Sequence, residues 1–196
     1  MAGRPRAFDR DEALENALLT FWKYGYDATS IALLTEAMGI GAPSLYAAFG
    51  DKRALFDEAL GLYAKTYGAF MIDVFRGEAD ARATVARLLH EAAAMFAERE
   101  HPPGCLVISA ATNCGPQSAA VAKRLRSFRA QTVRALEEKI EGARKHGALP
   151  KRTDAHALAL FYSATLQGMS AQARDGASHE DLEAIADTAL RAWPSA

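Results

Sequence analysis

The 196-residue chain has little cysteine, almost no net charge and no long apolar run, and each shortage removes a class of protein. Two cysteines, Cys105 and Cys114, are too few for a disulfide-stapled scaffold and fit a reducing compartment. A formal net charge of −1 supplies no global pull toward nucleic acid, so any such contact must rest on where the charges sit. No stretch of about 18 uninterrupted apolar residues offers a membrane span, and the first residues lack the basic flank and apolar core of an export signal. The expectation is a cytoplasmic protein with no membrane partner. His90, His101, His146, His156 and His179 lack metal-ligand spacing, no Gly-rich phosphate loop occurs, and no nucleophile has a base nearby in sequence. Neither a metal, a cofactor nor an enzymatic reaction is expected.

Runs of β-branched residues are scarce as well. Half the residues are apolar, and they are dominated by Ala and Leu, which lose least on entering a helix. The fold class expected is all-α. Residues 2–7 hold Gly, Pro and no periodicity, as an N-terminal arm would. Ala13, Leu14, Ala17, Leu18, Phe21 and Trp22 then follow the three-and-four spacing of one buried helix face, ended by Gly25. Thr29 and Ser30 offer hydroxyl caps to a short helix over Ile31–Met38, which Gly39 stops. Pro43 suits the first turn of the next helix, from Ala42 to Ala48 or Phe49. Asp51 caps a long helix predicted over Lys52–Phe75, and Gly77 to Asp80 marks the clearest internal boundary. Further helices are predicted over 81–99, 105–113, 118–146, 154–174 and 178–193.

The two short helices joined by Gly39-Ile40-Gly41 cannot bury a core alone, but flanking helices present them with apolar faces. That is a helix-turn-helix in a three-helix unit, with Ile31, Leu34, Met38, Ile40 and Leu45 at the crossing. Its charges are unhelpful: residues 1–56 carry Arg4, Arg6, Arg10, Lys23, Lys52 and Arg53 against seven acids.

The segments Ala28-Thr29-Ser30-Ile31, Ala37-Met38-Gly39-Ile40 and Pro43-Ser44-Leu45-Tyr46-Ala47-Ala48-Phe49-Gly50-Asp51-Lys52 resemble the TetR-type repressors, with matching spacing from about Phe8 to Leu60. The resemblance implies a DNA-binding head at residues 1–52 and a C-terminal helical ligand-binding and dimerisation domain at 53–196. It implies phosphate contacts by Thr29, Tyr46 and Lys52 and a base-facing surface of Ala42, Pro43, Ser44 and Ala48. Only Ser44 in that surface offers a side-chain hydrogen bond. Specificity would then lean on thymine-methyl contacts, DNA shape, and Arg4 and Arg6 of the arm in a narrow minor groove.

The family's effector pocket would lie between the helices after Ala81 and Ser118, where Tyr67, Met95, Phe96 and Phe128 are candidate lining residues. Tyr63, Tyr67 and Phe70 are candidate couplers of pocket to head. Ten Lys and Arg against three Glu between Lys123 and Arg152 mark a solvated basic face, or a preference for an anionic ligand. Cys105, at a predicted helix start, is a candidate thiol sensor, since a helix dipole lowers a thiol pKa; the other reading is a small buried apolar residue. The last two helices resemble the family's dimerising pair, with Phe161, Leu166, Met169, Ile185 and Leu190 at the interface. The function implied is a homodimeric repressor, released from a pseudo-palindromic double-stranded operator by a small-molecule effector. The alternatives are an all-α carrier or enzyme with an incidental helix-turn-helix, and a regulator answering to a protein partner or to thiol chemistry.

Overall fold

Asp9 opens the first helix: its carboxylate accepts from the backbone N–H of Asp11 and Glu12 at 2.9 and 3.1 Å, satisfying donors that have no partner inside the helix. A computed structural model describes residues 8–77, 80–110 and 114–195. Helix α1 spans Arg10–Tyr24, and Ala13, Ala17, Leu18, Phe21 and Trp22 on it are buried as their spacing requires. Helices α2 (Ile31–Met38) and α3 (Ala42–Phe49) meet at 90°. Gly39 makes that turn with φ at 65°, a left-handed conformation that costs a side chain more than it costs glycine. Helix α4 (Lys52–Lys65) starts on Asp51, whose side chain accepts from Ala54 N–H at 2.8 Å.

The long helix expected over Lys52–Phe75 is two helices. At Thr66 the hydroxyl donates to Leu62 O at 2.9 Å, and the N–H of Gly68 turns back to Tyr63 O at 2.8 Å. These bonds close α4, and a separate helix, α5 (Ala69–Gly77), begins just after them. Helix α6 (Ala81–Ala97) follows, capped by Asp80. The helix predicted over 105–113 is a single turn within the described residues, α7 (Leu106–Ser109). Pro116–Ser118 form a 3-10 turn leading into α8 (Ala119–Lys145), then α9 (Ala155–Arg174) and α10 (His179–Leu190), the last held by a reciprocal Ser178–Asp181 capping box. No strand occurs among the described residues, and no single helix among them is long and apolar enough to cross a membrane.

Two cores form. Leu18, Phe21, Leu34, Leu45, Leu55 and Phe56 centre the first, which also takes in Ala59, Leu60 and Tyr63 of α4, Leu106, and Val121 and Leu125 of α8. The head's core therefore runs past the expected division at residues 52/53. The second core lies among α6, α8, α9 and α10 around Leu88, Phe96, Leu136, Tyr162 and Leu182. Met169 is fully buried there and Leu166 nearly so, so neither is on the surface expected to meet a second subunit. Helix α9 is apolar on two sides: Tyr162, Leu166 and Met169 point inward, and Leu160 and Phe161 are left exposed. Ile185 and Leu190 are half-buried against the same core.

Candidate nucleic-acid interface and ligand cavity

Helix α3 has the composition of a surface that approaches another molecule closely. Leu45 and Phe49 anchor it inward, Tyr46 is 50% exposed and Pro43 is exposed, while Ala42, Ser44 and Ala48 are half-buried along its outer side. Arg10 stiffens the far end. Its guanidinium lies 4.4 Å from the Phe49 ring centroid, donates to Ala48 O at 3.3 Å and pairs with Glu58 at 2.7 Å. Sequence reading missed this strut, because nothing local links position 10 to positions 49 and 58.

Thr29 is placed otherwise than expected. Its side chain is fully buried and its hydroxyl donates to Gly25 O at 2.6 Å, so it closes the loop before α2 and offers nothing to a phosphate. Two adjacent hydroxyl residues compete for one cap, and Ser30 takes it, accepting from Leu33 N–H at 3.1 Å. Lys52 is half-buried with Nζ 4.5 Å from the Tyr26 ring centroid; burial lowers its ammonium pKa, and the nearby Asp27 carboxylate opposes that shift. Arg4 and Arg6 lie outside the described residues.

The head is fastened to the start of α8 by Asp27. Its carboxylate accepts from Gly115 N–H at 2.6 Å and from the Ser118 hydroxyl, and these bonds hold its pKa below the usual carboxylate value. A second tie joins Arg124 of α8 to Asp57 of α4 at 2.7 Å.

Behind the head lies a cavity of about 490 Å³, within the size range of small-molecule sites. Phe70, Met71, Phe75, Met95, Phe96 and Phe128 give it apolar walls, so three of the four expected lining residues meet there. Tyr67 does not join them. Its hydroxyl donates to Glu15 at 2.6 Å and its ring packs on Trp22 and His101; burial and then that carboxylate push its pKa up to about 12. The break after α4 turns Tyr67 to an outer groove, whereas Tyr63 and Phe70 line the cavity. Leu166, expected between subunits, is a wall of the same cavity.

Cys105 also lines the cavity. Its thiol accepts from Tyr63 O–H at 3.2 Å, and its N–H donates to the Ser170 hydroxyl at 2.9 Å. Burial raises the thiol pKa, and that outweighs the hydrogen bonds and the Arg129 charge that lower it. The reactive thiolate expected from a helix dipole is thus not set up, because α7 is only four residues long and its first turn is packed inside the protein. The preceding Gly104 has φ at 79°, and a Cβ there would sit 2.6 Å from Ser170 O, so only glycine lets this loop dock on α9.

A helix-turn-helix whose core shares a helix with a cavity-bearing helical body defines the architecture of a helix-turn-helix transcriptional regulator, with a DNA-binding head and a helical body behind it. Sequence and structure comparisons make the class specific. The profile "Bacterial regulatory proteins, tetR family" matches residues 13–59, and "Tetracyclin repressor-like, C-terminal domain" matches residues 81–189. The chain belongs to the TetR family. It is 39% identical over 193 residues to the HTH-type transcriptional repressor ComR of Escherichia coli strain K12, spanning 98% of this chain and 92% of that protein. It is 35% identical over 186 residues to the repressor BdcR of the same strain, spanning 94% and 88%. Among solved structures, a cysteine-substituted CifR complexed with 26-bp double-strand operator DNA matches with 47% identity and a TM-score of 0.91, covering 98% of this chain and 100% of that one.

Proposed function

We propose that the protein is a homodimeric repressor that holds a pseudo-palindromic operator and releases it when a small molecule enters the cavity. Operator binding is supported by its similarity to named repressors and to CifR, whose structure holds operator DNA. Tyr46 and Lys52 take phosphates, and Ala42, Pro43, Ser44 and Ala48 face the bases. Phe161 and Leu160, exposed on α9, meet a second copy with Ile185 and Leu190 beside them. The two-fold axis of such a dimer repeats in the operator.

One observation carries the coupling. Tyr63 is a wall of the cavity and a member of the head's core, its ring edge-on to Trp22 at 5.0 Å. A ligand that displaces Tyr63 therefore acts on the helix against which the head is packed, and can favour one head spacing over another by its differential affinity. Control by a thiol at Cys105 is the weaker reading, because burial raises that thiol's pKa. The test is fluorescence anisotropy of labelled DNA from upstream of the protein's own gene, titrated with the full-length protein at several salt concentrations. Preference over random DNA supports the proposal, and equal binding at every salt concentration refutes it for that site.

A further inference from the structure

Arg129 is the discordant residue in the cavity. The lining is mostly apolar, yet this guanidinium of α8 is half-buried in it, and its one hydrogen bond among the described residues goes from Nη1 to Val107 O at 3.1 Å. No carboxylate among the described residues lies within ion-pair distance of it. A guanidinium has five N–H donors in a planar fork, so most of this one's capacity is unspent. Burial, and then the like charge of Arg126, lower its pKa, outweighing the opposing effect of the Cys105 and Cys114 thiols. Partly buried charges are ordinarily paired, because an unpaired one sacrifices hydration without return. Two other guanidinium groups on this basic helix do have carboxylate partners: Arg124 pairs with Asp57, and Arg144 with Glu141, each at 2.7 Å.

The lining also carries neutral hydrogen-bonding groups on Gln131, Thr132 and Gln167, together with the exposed Arg76. Phe70, Met71, Phe75 and Phe96, which also line the cavity, have no hydrogen-bonding side-chain group. The cavity thus sets a half-buried guanidinium in a largely apolar lining. We infer that the effector is an amphipathic monoanion, a small carboxylic acid with an aliphatic or aromatic body, whose carboxylate is clamped by Arg129. This inference rests on the reading of the cavity as an effector site. Arg129 is the specificity-determining residue, since fork-to-carboxylate pairing rewards a planar anion over a neutral group of equal shape.

The experiment is calorimetric titration of the full-length protein with 4-phenylbutyrate and with octanoate, each against its primary amide, alongside operator anisotropy. The carboxylates should bind the wild type at least about tenfold tighter than the amides, as a charge-assisted bidentate contact provides. Arg129→Met, which keeps the apolar stem, should reduce that ratio to about one and leave amide affinity within about threefold; Arg129→Lys should restore part of it. Amides that bind as tightly as the carboxylates, or a preference that survives Arg129→Met in a folded protein, overturn the inference and leave the cavity reading standing. Binding of neither pair overturns both.

Discussion

Removing the Asp27 carboxylate should loosen the joint between head and body by an amount that can be worked from its bonds. The group accepts from Gly115 N–H and the Ser118 hydroxyl, and hydrogen bonds to a charged group contribute about 1.5–3 kcal/mol each in protected sites. Asp27 is partly exposed, so water recovers much of this, and the expected loss in Asp27→Ala is about 1–2 kcal/mol in total. In a protein of this size each kcal/mol moves Tm by about 2–4 °C, giving a fall of about 2–8 °C. The sign with pH follows from the depressed folded-state pKa. The contribution is complete above the pKa of the unfolded carboxyl and is lost as pH falls through the lower folded value. Wild type and Asp27→Asn should therefore differ most near neutral pH and converge in acid. Urea melts of Asp27→Ala, Ser118→Ala and the double variant close the cycle. Coupling of about 0.5 kcal/mol or more supports the latch, whereas additivity within about 0.3 kcal/mol, or a gap that widens in acid, refutes it.

Lys52→Ala should weaken binding to all DNA alike and lower the salt slope by about 1 for each phosphate the ammonium had neutralised; an unchanged slope would mean that Tyr26 holds the ammonium away from phosphate. Phe161→Glu should shift sedimentation toward monomer at micromolar concentration with little change in helicity, and a persistent dimer would move the interface elsewhere. Met169→Ala should cost about 2–5 kcal/mol in denaturant melts, because the side chain is fully enclosed within one subunit. A small loss in stability accompanied by dissociation would place it between subunits instead.

The head was legible because its signals are local. Gly39, Pro43, Ser30 and Asp51 act within a few residues of where they stand, and the apolar spacing of α1 to α3 admits one folding solution. Elsewhere the deciding partners are distant. Thr29 and Ser30 look equivalent as caps until Gly25 O claims one hydroxyl. The break after α4 depends on Thr66 and Gly68 bonding backward, and neither residue announces it. On α9 the two apolar faces look alike in sequence, so Leu166 and Met169 could not be told from Phe161 until α6, α8 and α10 were placed around them. The cavity is likewise a property of how six helices fail to fill a space. Tyr63, a coupler candidate from the resemblance, gained its partner Trp22 only in the fold, and Arg129 stood out from the other cations of α8 only once Val107 and the cavity were beside it.

The ring cluster at the joint makes the protein its own reporter. The chain has two tryptophans, and they are divided between the two cores: Trp193 packs near Tyr162, and Trp22 is stacked on His101 at 4.4 Å with Tyr63 at its edge. In a Trp193→Phe background all indole emission comes from the point where cavity and head meet. That emission should shift when an occupant moves Tyr63. Occupancy and head position could then be read in solution without a dye, on the same sample that carries the DNA.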